Sequence, residues 1–142
     1  MVEISGKPDV VRVARAEGFI RLRRETIEKI RKGEVKKGNV IAVAQLAAIQ
    51  AVKHTWEIVP LCHPIPITGV DVDIFVEDEG VRVSVTVRAI AKTGVEMEAL
   101  TGVSAALLAV WDMVKAYEKD EKSQYPYTAI EAIRVVEKIK HG

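Results

Sequence analysis

"ITGVDVDIFVEDEGVRVSVTVRAIAKTG", Ile67 to Gly94, decides how this chain folds. Val70, Val72, Ile74 and Val76 alternate with polar residues, and Val81, Val83, Val85 and Val87 do the same. A period of two is that of half-buried strands, because successive side chains leave a strand on opposite faces. "EDEG", Glu77 to Gly80, has the acidic and glycine residues of a tight turn, so the two runs form an antiparallel hairpin.

Upstream, "VVRVARAEGFIRL" alternates imperfectly; its apolar positions Val11, Val13, Phe19 and Leu22 suit a strand or a helix, and the alternation favours a strand. "RRETIEKIRKGE" follows as a charged amphipathic helix with Ile27 and Ile30 on its inner side. Gly38 and Asn39 punctuate "VKKGN", and Asn39 can cap the next helix, "VIAVAQLAAIQAVKHTW", which has little polar face. Downstream, a long helix is expected from about Glu98 to Lys119. Leu100, Val103, Leu107, Val110 and Val114 form one seam on it, and Gly102, Ala105, Ala106 and Ala109 a second strip of small side chains. A helix apolar on two sides needs two partners. Residues 128–140 read as a last strand, with room for a short turn of helix before it. The parts make an α+β domain spanning 1–142: an antiparallel sheet with helices packed on one face. Two helices this apolar are hard to bury in one small domain, so a homo-oligomer is expected.

Composition narrows the functional classes. A net charge of +1 over 142 residues gives no basic field for nucleic acid. No apolar run reaches the length of a membrane span, and "MVEISGKPDV" lacks the core of a signal peptide. One cysteine makes no internal disulfide, which suits a soluble cytoplasmic protein.

That cysteine sits in "VPLCHPIPIT", Val59 to Thr68, with three of the chain's five prolines. Cys62 and His63 are adjacent, which is awkward for joint binding of one zinc ion, and no second cysteine exists. Neighbouring side chains of an extended loop point apart, so His63 is badly placed to activate Cys62 as a nucleophile. A small apolar role suits Cys62 best. Pro64 pushes His63 into an extended conformation, and either a satisfied core histidine or a fixed functional one fits.

In "AKTGVEMEALTG", Glu96 and Glu98 flank Met97. Both are ordinary acids of a helix start, or, if Glu96 is still extended, a pair sharing one face towards a donor-rich ligand such as a guanine edge. In "WDMVK", Asp112 and Lys115 are an i,i+3 pair: a solvated pair, or a buried one retained for proton transfer. Glu98 and Asp112 stand 14 residues apart, about 21 Å along a helix, so they serve one reacting atom only if different subunits supply them. Lys36 and Lys37 before a helix start, with Arg12 and Arg15, are a loose basic set that suits phosphate or water equally.

Taken together, "KKGNV", "AVKHTWEIVPLCHPIPIT", "KTGVEMEALTGVSAALLAVWDMVKA" and "EKD" resemble, in order and spacing, the molybdenum cofactor biosynthesis protein C family, the cyclic pyranopterin monophosphate synthases. The resemblance runs from Met1 to about Asp120. It implies a ferredoxin-like fold assembled as a hexamer, a trimer of dimers, with active sites between subunits. The implied lyase activity converts (8S)-3′,8-cyclo-7,8-dihydroguanosine 5′-triphosphate into cyclic pyranopterin monophosphate and pyrophosphate. By the same resemblance Asp112, Lys115 and Lys37 are catalytic. Leu61, Cys62, His63, Glu96, Met97 and Glu98 line the substrate pocket, and Arg12 meets the triphosphate. The C-terminus departs from the pattern: Lys138 takes the role of a tail lysine, with Lys140 the alternative. No cofactor is required, although magnesium can travel with the phosphates. The alternative is a non-catalytic ferredoxin-like ligand-binding module, since such folds host many functions.

Overall fold

The computed structural model describes Met1 to Gly142. The hairpin forms as expected: β2 (Ile67–Glu77) and β3 (Gly80–Ala91) pair antiparallel, with Val70 opposite Val87 and Val76 opposite Val81. β1 (Val10–Arg21) pairs with the far side of β3, and β4 (Ala129–His141) closes the other edge against β1. The strand order β2-β3-β1-β4 with every neighbour antiparallel is that of two interleaved β-α-β units, the ferredoxin-like arrangement.

α1 (Arg24–Lys32), α2 (Val40–Lys53), the single-turn α3 (Thr55–Ile58) and α4 (Glu96–Glu118) complete the chain. Asn39 caps α2 as expected, its side chain accepting from the Ala42 amide at 3.0 Å. The Gly33–Asn39 loop joins α1 to α2, with Gly33 and Gly38 both at positive φ, where a side chain would be strained.

One core joins the sheet to α1, α2 and α4. Val81, Val83, Val85 and Val87 supply its β3 floor, and Val103, Leu107, Val110 and Val114 press down from α4. On β1 the inward positions are the even ones: Ala14, Ala16 and Ile20, followed beyond the strand by Leu22. Val11, Val13 and Phe19 lie on the opposite face, contrary to expectation, beside ion pairs such as Arg82–Glu77 and Arg88–Asp71. The small residues won the inner face because α4 crosses β1 closely: a Cβ on Gly18 would stand 2.8 Å from side-chain carbons of Leu107 and Val103. The small strip of α4 does the same for α2. A Cβ on Gly102 would stand 2.8 Å from Val52 and 3.4 Å from the Ala48 carbonyl. Thus α4 has the two partners that its two apolar sides require, the sheet and α2.

The sequence reading of membrane spans needs one correction. α4 holds an 18-residue stretch long and apolar enough, by length and composition, to cross a bilayer. Half of that stretch is buried within the protein, as a core helix requires.

Candidate active site

α4 begins two residues earlier than expected, at Glu96, and this decides the carboxylate pair. Both glutamates are helical, so they diverge instead of sharing a face. Glu98 turns inward beneath the Cys62 loop and is only 2% exposed. Its Oε2 lies 3.9 Å from the Cys62 thiol, while its Oε1 has no hydrogen-bond partner. Burial pushes the Glu98 carboxyl above its usual range, and the nearby Glu96 charge adds to this. Glu96 turns towards β4, where Lys138 Nζ stands 3.4 Å from one oxygen, and the other oxygen is buried without a partner.

Cys62 is half-buried. Burial pushes its thiol up, and the Glu98 charge adds to the effect, so the reactive thiolate is disfavoured. The thiol also contacts the His63 carbonyl at 3.8 Å. His63 Nε2 lies 2.7 Å from the Val2 carbonyl, which can only accept, so that nitrogen carries the proton. Leu61, Cys62, His63, Glu96 and Met97 all line one cavity of about 460 Å³, joined by Lys7 from the N-terminal segment. Leu61 is 71% exposed, an apolar side chain in open contact with solvent.

A second cluster occupies the other end of α4. Asp112 Oδ1 accepts from Lys115 Nζ at 3.1 Å, and Oδ2 accepts from Lys37 Nζ at 3.1 Å. Lys37 also reaches the Asp112 carbonyl at 3.1 Å. These bonds, Lys115 first and then Lys37, hold the Asp112 carboxyl below its usual range. The pair is not buried: the Asp112 side chain is 61% exposed, on the strip of α4 that neither the sheet nor α2 covers. Its retention inside an apolar helix therefore needs no desolvation argument, contrary to one reading of the sequence. Leu108, Trp111, Tyr125 and Ile130 complete a cleft of about 420 Å³ beside Asp112 and Lys115.

A model of the MoaC family matches residues 1–141. The chain belongs to the MoaC family. A probable cyclic pyranopterin monophosphate synthase of Pyrococcus furiosus is 64% identical over 140 residues, covering 99% of this chain and 90% of that protein. A protein of the same description from Archaeoglobus fulgidus is 62% identical over 142 residues, covering 100% and 91%. One from Methanothermobacter thermautotrophicus, described as a probable cyclic pyranopterin monophosphate synthase accessory protein, is 60% identical over 140 residues, covering 99% and 88%.

Within this MoaC-family chain the expected residues fall into two groups. His63, Cys62, Leu61, Met97, Glu96, Glu98 and Lys138 gather at the start of α4, and Lys37, Asp112 and Lys115 near its end. Lys138 meets a site carboxylate, whereas Lys140 forms no ion pair. Arg12 is not the free surface cation of the sequence reading. It is 6% exposed, and its guanidinium donates to the Ala91 carbonyl at 3.3 Å and the Lys92 carbonyl at 3.1 Å. Nowhere do three His, Cys, Asp or Glu side chains converge as a metal ligand set.

Two residues escaped the sequence reading. Glu118 is fully buried and accepts from the Arg23 amide at 3.0 Å and from the hydroxyls of Thr26 and Thr128. Its signal was its place on the 103, 107, 110, 114 seam, where a carboxylate belongs only with donors around it. Tyr117 accepts from the Lys36 amide at 2.8 Å, and no local pattern marks it.

Proposed function

We propose that this chain is a cyclic pyranopterin monophosphate synthase, a lyase of molybdenum cofactor biosynthesis. The observation that carries the reading is the full-length family match together with relatives of that description above 60% identity. The substrate is the cyclised GTP derivative named by the resemblance. It is rebuilt into a pyranopterin with a cyclic phosphate as pyrophosphate leaves.

Such a reaction needs proton transfers and cations near a leaving pyrophosphate. Asp112, ionised between two ammonium groups, is suited to receive a proton. Lys115 and Lys37 are suited to return one or to meet developing negative charge. His63, Glu98, Glu96 and Met97 hold the guanine-derived ring, with Leu61 and Cys62 as wall. Lys138 assists through Glu96, and Arg12 acts on the triphosphate from beneath, through the backbone it supports. No resident cofactor enters the scheme, and magnesium comes with the substrate phosphates. Within one chain Glu98 and Asp112 lie 14 residues apart on one helix, about 21 Å. The working site therefore joins the His63 end of one copy to the lysine end of another, in a cytoplasmic homo-hexamer built as a trimer of dimers. Nucleic acid and membrane have no part in it.

The test incubates the protein with the cyclised GTP derivative and follows pyrophosphate and the fluorescent oxidised pterin. Asp112→Asn and Lys115→Ala should fold, assemble as the parent does and lose at least about 100-fold in turnover, the usual worth of acid-base groups. Parent-like turnover in both variants would refute their roles. Ligand binding with no turnover by the parent would favour a non-catalytic module.

A further inference from the structure

Lys37 belongs to neither a helix nor a strand. It stands on the Gly33–Asn39 loop, between two glycines of positive φ, and a loop of that kind does not fix a long side chain unaided. What holds the loop is the last turn of α4. Glu118 grips the start of α1 through the Arg23 amide and Thr26. Tyr117 grips the other end of the same excursion, its hydroxyl oxygen accepting the Lys36 amide at 2.8 Å. Val35, the residue before Lys36, is anchored in the core. Lys29 of α1 lies 5.0 Å over the Tyr117 ring, so the tyrosine is held in turn from the α1 side. The next residue after Lys36 places its ammonium 3.1 Å from the Asp112 carboxylate.

We propose that Tyr117 is a positioning residue for Lys37: its hydroxyl pins the Gly33–Asn39 loop to α4 and so sets the Lys37 ammonium on the Asp112 carboxylate. The inference deepens the reading above and rests on its assignment of Lys37 and Asp112. Tyr117 touches no reacting group itself. The charged groups facing the Asp112 carboxylate are Lys37 from the loop and Lys115 from α4. Lys115 shares a rigid helix with Asp112, whereas the Lys37 contact depends on the loop.

The variant is Tyr117→Phe, which keeps the ring and its Lys29 contact and removes only the acceptor. Titration of the Asp112 carboxyl is followed by NMR on the full-length protein, in the parent and in a Lys37→Met background. Loss of a nearby cation raises a carboxyl pKa. Asp112 should therefore titrate higher in Tyr117→Phe than in the parent, moving towards its value in Lys37→Met. Adding Tyr117→Phe to Lys37→Met should move it no further. Turnover should fall roughly fivefold to tenfold in kcat with KM within about twofold, the pattern of a misplaced catalytic group. A purely structural tyrosine would lower the melting temperature and leave the Asp112 titration where it was, and that result overturns the proposal. A shift of equal size in both backgrounds also overturns it. Parent-like turnover in Lys37→Met would remove Lys37 from catalysis, while the titration would still report whether Tyr117 holds it.

Discussion

Glu98 and Glu118 are two buried carboxylates on one helix, and their surroundings are opposite. Glu118 receives hydrogen bonds from the Arg23 amide, Thr26 and Thr128, so both oxygens are satisfied. Glu98 has a weak thiol contact on one oxygen and nothing on the other. Burial of an ionisable group costs stability unless donors surround it. Glu118 meets that condition and ties α4 to α1 and to the segment leading into β4. Glu98 does not, and its one side-chain contact is the thiol of Cys62, a residue that lines the His63 cavity. A carboxylate buried with its partners missing is a candidate for binding a ligand; one buried with its partners present is a clasp.

The contrast breaks most easily at its structural end. Glu118→Ala should lower unfolding free energy by about 3–5 kcal/mol, because it strands several buried donors at once. Glu98→Gln should change stability by less than about 1 kcal/mol, since it removes a poorly compensated charge at constant shape. Guanidinium chloride unfolding of both variants measures the difference. Equal losses would show that Glu98 is as much a clasp as Glu118.

The pH dependence sharpens the comparison with a smaller effect. Glu98 has a raised pKa, so the folded protein holds that proton more tightly than the unfolded chain. Its contribution is most favourable below the ordinary carboxyl value of 4.5 and declines as pH rises through the raised value. Asp112 runs the other way. Its ion pairs contribute above the ordinary value of 3.8, and that contribution is lost as pH falls through the lowered one. Melting temperatures from pH 4.5 upward should therefore carry a downward component that Glu98→Gln abolishes and Asp112→Asn leaves intact. An unchanged profile in Glu98→Gln would place the Glu98 proton elsewhere.

The smallest effect is expected at the cysteine. Burial and the neighbouring Glu98 charge both disfavour the Cys62 thiolate, so on the proposed function Cys62 is a wall and Cys62→Ser should keep most turnover. His63→Ala, at the neighbouring position, should cripple it. A folded, assembled serine variant without activity would reverse this assignment.

Much of the architecture was legible because its signals are local. Period-two valines on β2 and β3, the turn at Glu77–Gly80 and the Asn39 cap each depend on a few neighbouring residues. The face of β1 was misread because its inward residues are small, and small residues carry little hydropathy signal. The same strand's Arg12 was mistaken for a surface cation because nothing local reveals that two carbonyls at the end of β3 receive it. The site divided likewise. His63, Glu98, Asp112 and Lys115 stood out by their neighbours, whereas Lys37 on Asp112, Lys138 on Glu96 and Tyr117 on Lys36 join residues more than forty positions apart.

By itself, then, the amino-acid order determined the strands, the helices, the capped turn and the family, since alternation, capping and motif spacing act over a few residues. Only the tertiary structure decided which carboxylate is desolvated and which ion-paired, and which lysine meets which acid. Those properties depend on groups distant in the chain, and electrostatics and burial are set by what stands nearby in space.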